Sequence, residues 1–155
     1  MNDQTSDNAG VIAFPPALYA VTLLIGLVLN FIFPVSFLPT VSLILGSLMI
    51  ICAGLIVTLA FKRMRQANTA INPAEPTTAI VADGVFSWSR NPIYLSLTLL
   101  YTGISFLFNA VWALLLLLPL LVIMQIGVIQ REEKYLERKF GDEYLCYKAQ
   151  VRRWI

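Results

Sequence analysis

The chain has 155 residues, of which 58% are hydrophobic and only 13% charged, and its net charge is +2. No charged residue lies between Asp7 and Lys62, and none between Arg90 and Arg131. Uncharged stretches of that length exclude an ordinary soluble domain, whose surface scatters charges along the sequence, and they exclude disorder, which goes with low hydrophobicity. One domain is the expected count for this length. There is no histidine, which removes a histidine general base, histidine-ligated metals and histidine triads. Cys52 and Cys146 form no CxxC pair and lie in different regions, so no redox pair or thiolate metal site is expected. No basic stripe suggests nucleic acid.

A membrane helix needs roughly 20 mostly apolar residues. The first uncharged stretch holds two such spans after an amino-terminal tail of residues 1–16. They cover 17–33, ending at Pro34, and 40–61, ending in Lys62, Arg63 and Arg65. Pro34 to Pro39 makes an uncharged turn between them. The second stretch divides at Asn109 into spans 92–108 and 110–129. The expected fold is all-α: four transmembrane helices in two hairpins, with a cytoplasmic loop and a helical carboxyl-terminal tail. Ser42 and Gly46 stand four apart on the second helix, as do Ile50 and Gly54, a spacing that permits close helix packing.

Orientation follows from lysine and arginine. The loop 62–91 carries four basic and two acidic residues, and the tail 130–155 seven and five. Both belong on the cytoplasmic side. Four spans then put both termini in the cytoplasm, with a bacterial inner membrane as the expected location. No cleaved signal peptide is expected, since no basic segment precedes the first span.

The chemistry should lie in the loop and tail. Asp83-Gly84 is a turn signal. Asn91-Pro92 reads as a helix N-cap followed by its first residue. The helix amino end beside Arg90 suits a carboxylate or phosphate. The alternative is an interfacial Trp88/Arg90 anchor. The fourth span should continue as one helix to about Phe140, with Gly141 as its C′ residue. At ~100° per residue, Val128, Ile129, Tyr135, Leu136 and Phe140 share one face. Glu132 falls in the middle of that face and Glu133 at its edge. An inward carboxylate needs a partner. For Glu132 this would be Arg90 or a cationic ligand, and for Glu133 a structural ion pair. Tyr94, Thr98, Tyr101 and Ser105 form a polar and aromatic stripe, which bonds neighbouring helices or lines a cavity able to hold a sulfonium or ammonium. Trp88, Trp112 and Trp154 read as interface anchors, and Arg152-Arg153-Trp154 as a contact to lipid head groups.

Gly84-Val85-Phe86, then Ser89-Arg90-Asn91-Pro92-Ile93-Tyr94, then a hydrophobic hairpin, then Arg131-Glu132-Glu133, Leu136, Phe140-Gly141, Tyr144 and Tyr147 together resemble the isoprenylcysteine carboxyl methyltransferase family. Membrane phospholipid methyltransferases share the pattern. The resemblance covers about residues 73–155. It implies an integral membrane enzyme that binds S-adenosylmethionine and transfers its methyl group to a membrane lipid or lipidated small-molecule acceptor at the cytoplasmic face, without a metal. Carried over residue by residue, the cofactor contacts are Gly84, Val85, Phe86, Arg90, Asn91, Pro92, Tyr94, Glu132 and Glu133, to which Val81 is added as the start of the loop beneath the adenine, with Arg90 and Glu132 as the catalytic candidates. Arg90 and the helix end at Asn91–Tyr94 would take the cofactor carboxylate and Glu132 its ammonium, while the adenine would rest on Val81–Phe86. The departure is Asn91, where better-known members have histidine, because asparagine cannot titrate near neutral pH. A carboxylate or thiolate acceptor, which needs no base, is mildly favoured. Competing readings are a non-enzymatic four-helix membrane protein and a membrane reductase of related fold.

Overall fold

A computed structural model describes residues 7–35 and 39–155. The middle of the expected 34–39 turn and the first six residues of the amino-terminal tail lie outside the described residues. Those described form helices and no strands. Helix α1 spans Pro15–Ile32, α2 Pro39–Gln66, α3 Pro92–Leu107, α4 Val111–Met124, α5 Gln130–Phe140 and α6 Asp142–Gln150. A 3₁₀ turn covers Gly84–Ser87, and a π-helical segment, Gln125–Ile129, joins α4 to α5. Three helical stretches, Pro15–Ile32, Val41–Gln66 and Val111–Phe140, are long and apolar enough to cross a membrane, and Pro92–Leu107 is a shorter apolar helix.

The packing follows from where the small residues lie. Helix α2 packs on α3, and α1 on α4 and α3, so the main partners lie across the two expected hairpins. A Cβ on Gly46 would stand 2.7 Å from the Gly103 carbonyl oxygen, and one on Gly103 2.8 Å from that of Gly46. The two backbones touch there, which a side chain would prevent. Gly26 of α1 likewise abuts Ala113 of α4. Ile50 packs on the same point, its Cγ1 2.8 Å from where a Gly103 Cβ would stand, whereas Gly54 has open space around its Cβ direction, so of the expected small-residue contacts only that at Gly54 is absent.

Large aliphatic side chains point outward instead. Leu43, Ile44, Leu48, Ile51, Leu55 and Leu59 of α2 are exposed, whereas Ala53 and Ala60 are buried. Lipid tails solvate leucine as well as a protein interior does, so close-packed small residues and interhelical hydrogen bonds hold the bundle. The stripe on α3 supplies several of those bonds. The Tyr19 and Thr98 hydroxyls bond at 2.8 Å, and Tyr101 donates to the Ala113 carbonyl at 2.8 Å. Ser105 bonds within its own helix, to the Tyr101 carbonyl.

Asn109 turns the chain between α3 and α4 with a left-handed φ of 54°, a conformation asparagine tolerates. Gly141 ends α5 with φ 54°. As expected, the fourth span continues as one helical stretch, Val111–Phe140, and within it Gln125–Ile129 widens into a π turn. At Gly127 the Ile12 side chain occupies the place of a Cβ, and the Ile12 amide donates to the Gly127 carbonyl at 3.2 Å. The amino-terminal segment thus lies across this joint. It is tied further by Arg131 to the Gly10 carbonyl (2.9 Å) and by Asp7 to Lys139 (2.6 Å) and the Tyr135 hydroxyl (2.9 Å).

Candidate active site

A cavity of about 370 Å³ opens where α3, α5, α6 and the loop after α2 meet. That volume suits a small-molecule cofactor. Of the residues singled out in the sequence, Val81, Phe86, Arg90, Asn91, Pro92, Tyr94, Glu132 and Glu133 line it. Gly84 and Val85 are not in its wall. Gly84 instead opens the 3₁₀ turn with φ 60°, and a Cβ there would lie 2.9 Å from the Arg63 Nε. Arg63 also pairs with Asp83 at 3.0 Å, which docks this turn on the end of α2.

Glu133 makes the structural ion pair expected of it, and Glu132 makes none among the described residues. Glu132 does not pair with Arg90. Its Oε1 accepts from the Tyr94 hydroxyl at 2.6 Å, and it has no cation partner among the described residues. Glu132 lies beyond the apolar run of α4 and the π turn. Burial pushes its carboxyl up to about 7, the Tyr94 hydrogen bond pulls the other way, and the nearby Glu133 charge adds to the rise. Glu133, expected at the edge, is only 6% exposed. Arg153 grips both of its oxygens, Nε to Oε1 at 2.8 Å and Nη2 to Oε2 at 2.7 Å. Arg90 Nη2 stands 3.2 Å from Oε1. Burial pushes the Glu133 carboxyl up, but the Arg153 fork and the charges of Arg90, Arg153 and Lys148 outweigh it and hold it below its ordinary value.

Arg90 is left with unused donors. Its Nε and Nη1 are buried and have no hydrogen-bond partner. A buried guanidinium so placed calls for an acceptor, since unsatisfied charged donors are costly. Pro92 starts α3 as read from the sequence, and Asn91 occupies the N-cap position but makes no side-chain cap. Its Nδ2 donates instead to the Arg153 carbonyl at 3.0 Å.

The carboxyl-terminal residues are therefore part of the site. Arg152-Arg153-Trp154 does not simply face lipid. The Arg90 amide donates to the Arg152 carbonyl at 3.0 Å, Arg153 faces Glu133, and Trp154 packs on the core. Trp88 is 76% exposed. Tyr144 and Tyr147 of α6 also line the cavity, and Tyr147 donates to the Phe86 carbonyl at 2.7 Å. Burial raises the Tyr144 phenol to about 12, with the Glu133 charge adding to the rise and the Arg90 guanidinium opposing it. Ala9 and Phe14 of the wall, and Arg153 behind it on Glu133, were missed because each reaches the site from a chain end with no local motif. Among the described residues no group of three or more His, Cys, Asp or Glu could hold a metal ion.

The arrangement can bind a zwitterion: unpartnered Arg90 donors for an anion, the cation-free Glu132 for a cation, and an apolar wall including Ile80, Val81 and Phe86 for a flat ring. These are the groups S-adenosylmethionine presents, so the residues fit it.

Comparison with known proteins agrees. Residues 41–143 match the family model described as phospholipid methyltransferase. An uncharacterized protein of Haemophilus influenzae is 48% identical over 64 residues, 41% of this chain and all of that protein. The protein-S-isoprenylcysteine O-methyltransferase of Saccharomyces cerevisiae is 32% identical over 131 residues, 77% of this chain and 51% of the yeast protein. The chain thus spans about half the length of the yeast enzyme. No solved structure gives a significant match. By the family model and the yeast relative, the chain belongs to the phospholipid methyltransferase family of membrane methyltransferases.

Proposed function

We propose that this protein uses S-adenosylmethionine to methylate a lipid-like or isoprenylcysteine-like acceptor at the cytoplasmic face of a bacterial inner membrane. The observation that carries the reading is the complementary pair on the cavity wall: buried, unpartnered Arg90 donors and a carboxylate, Glu132, without a cation. Arg90 would hold the donor's carboxylate and Glu132 its ammonium. Phe86 and Val81 would offer apolar surface to the adenine. The cofactor, when bound, supplies an activated methyl on a sulfonium. Alignment of acceptor and methyl then provides much of the rate, because direct displacement depends on geometry. Phe61, Met64, Ile93 and Leu97 form an apolar side of the same cavity, suited to an acyl or prenyl chain. No histidine is available as a base, which favours an acceptor that is already ionised, a carboxylate or a thiolate.

The charge distribution supports a four-span topology with both termini cytoplasmic. The bonds from Asp7 and Gly10 to α5 support it as well, because they keep the amino-terminal segment beside the basic tail. Calorimetric titration of the detergent-purified protein with S-adenosylmethionine and S-adenosylhomocysteine tests the reading. Binding in the micromolar range is expected. Folded protein that binds neither compound would overturn it. A radiolabelled-methyl screen against membrane extracts then identifies the acceptor.

A further inference from the structure

We infer that Arg153 is a positioning residue that keeps Arg90 available to the cofactor carboxylate by satisfying Glu133 in its place. The inference rests on the S-adenosylmethionine reading above. Glu133 is a buried carboxylate between two guanidinium groups. An arginine that can fork a carboxylate does so, because two parallel charged hydrogen bonds are stronger than one. Here the fork belongs to Arg153, through Nε and Nη2. Arg90 reaches the same carboxylate only through Nη2, at 3.2 Å, and its Nε and Nη1 stay unpartnered. Those free donors exist because Glu133 is already held from the other side.

Arg153 can do this because its backbone is stitched to the start of α3. Its carbonyl accepts from the Asn91 Nδ2 at 3.0 Å and from the Ser89 hydroxyl at 3.3 Å. The Arg90 amide bonds the neighbouring Arg152 carbonyl. The segment that carries Arg153 is therefore in register with the segment that carries Arg90. Without Arg153, Glu133 would be left with Arg90 as its one nearby arginine. Arg90 would then turn its fork onto Glu133 and away from the ligand. In this reading Glu133 is a counter-ion that sets the arginine geometry, and Glu132 alone faces the ligand's ammonium.

The test compares two probes by calorimetry: S-adenosylhomocysteine, which carries the amino-acid carboxylate, and 5′-methylthioadenosine, which lacks it. Wild-type protein that binds neither probe counts against the cofactor reading itself. With wild-type binding in hand, Arg153→Ala should weaken S-adenosylhomocysteine roughly tenfold to a hundredfold, the range for a charged hydrogen bond, and leave 5′-methylthioadenosine within about twofold. Arg153→Lys keeps the charge but cannot fork, so it should show the same selective loss in a fully charged site. In a Glu133→Gln background, Arg90 has no carboxylate to capture, and adding Arg153→Ala should cost less than about threefold further. Equal weakening of both probes, unchanged S-adenosylhomocysteine affinity, or a full-sized loss in the Glu133→Gln background would each overturn the inference and leave Arg153 a structural residue.

Discussion

The Tyr94 hydroxyl donates to Glu132 Oε1 at 2.6 Å, joining the first turn of α3 to α5 across the cavity. This bond explains how a carboxylate on an otherwise apolar face is tolerated without a cation. It supplies one strong donor to the ionised form, yet burial still dominates and Glu132 sits near neutrality. A carboxyl in that state is half-prepared for a cationic ligand: held in place, but not neutralised by a protein side chain.

Cofactor affinity should therefore depend on pH in a defined direction. In the free protein Glu132 is protonated below about 7, and binding an ammonium then requires loss of that proton. Affinity for S-adenosylhomocysteine should rise as pH rises from 5.5 to 7.5, approaching tenfold per unit at the acid end and flattening above about 7. Glu132→Gln should bind more weakly at pH 8, by roughly tenfold or more, and should lose the slope. Titrations across that range in both proteins check this, and a slope that persists in Glu132→Gln would assign it to another group.

The same residue should act on stability with the opposite sign. Its folded-state pKa of about 7 lies above the ordinary 4.5, so the folded protein retains a proton that the unfolded chain releases between those values. The contribution of Glu132 to stability is fully present below 4.5 and is lost as pH rises through about 7. Cofactor-free Glu132→Gln should thus have a higher Tm than wild type at pH 8, and this advantage should shrink toward pH 5. Tyr94→Phe should lower Tm at pH 8, because it strips the one donor from the ionised carboxylate. Thermal unfolding in a fixed detergent at the two pH values is the measurement.

Helix packing offers a prediction independent of the chemistry. Gly46 and Gly103 face one another's carbonyl oxygens, so a side chain on either meets backbone that cannot move aside. Gly103→Leu should destabilise by about 1–3 kcal/mol, as overpacking does. Gly54→Ala points into open space and should be neutral or stabilising by up to ~1 kcal/mol, the helix-propensity difference. Unfolding of both variants, read by tryptophan fluorescence, would show whether α2 and α3 are held by close approach at this point.

Local patterns made the elements legible. The charge gaps marked the apolar helices, Pro92 the start of α3, Asn109 the turn and Gly141 the end of α5. Helical periodicity alone turned Glu132 inward, where it lines the cavity half-buried, but it set at the edge Glu133, which is the buried one. What it could not give was partner choice. Arg90 precedes Pro92 and Arg153 lies near the chain end, so which of them reaches Glu133 depends on how the tail folds back, and no local spacing encodes that. The packing at the π turn was hidden for a related reason: Ile12, more than a hundred residues away, lodges against Gly127. The pairing of α2 with α3 had a visible half in Gly46, but its other half, Gly103, reads as an ordinary helix-interior glycine until the two are seen together.

Asn91 makes the last prediction, because it departs from the family pattern that the sequence resembles and the structure gives it a different task. Its Nδ2 holds the Arg153 carbonyl at 3.0 Å, and its own amide accepts no competing role because it donates to the Ser89 hydroxyl at 3.1 Å. Asn91 is thus a tether between the start of α3 and the carboxyl-terminal segment, and it cannot take a proton near neutral pH. Asn91→Ala removes the shorter of the two hydrogen bonds to the Arg153 carbonyl and leaves it only the Ser89 hydroxyl at 3.3 Å, so it should cost about 1 kcal/mol of stability. It should also weaken S-adenosylhomocysteine in the manner of Arg153→Ala but less, since Ser89 and the Arg90 amide still bind the segment. The pH dependence of binding should be unchanged in this variant, because the slope belongs to Glu132. A variant with normal stability and a displaced pH profile would show instead that Asn91 acts on the ionising group directly.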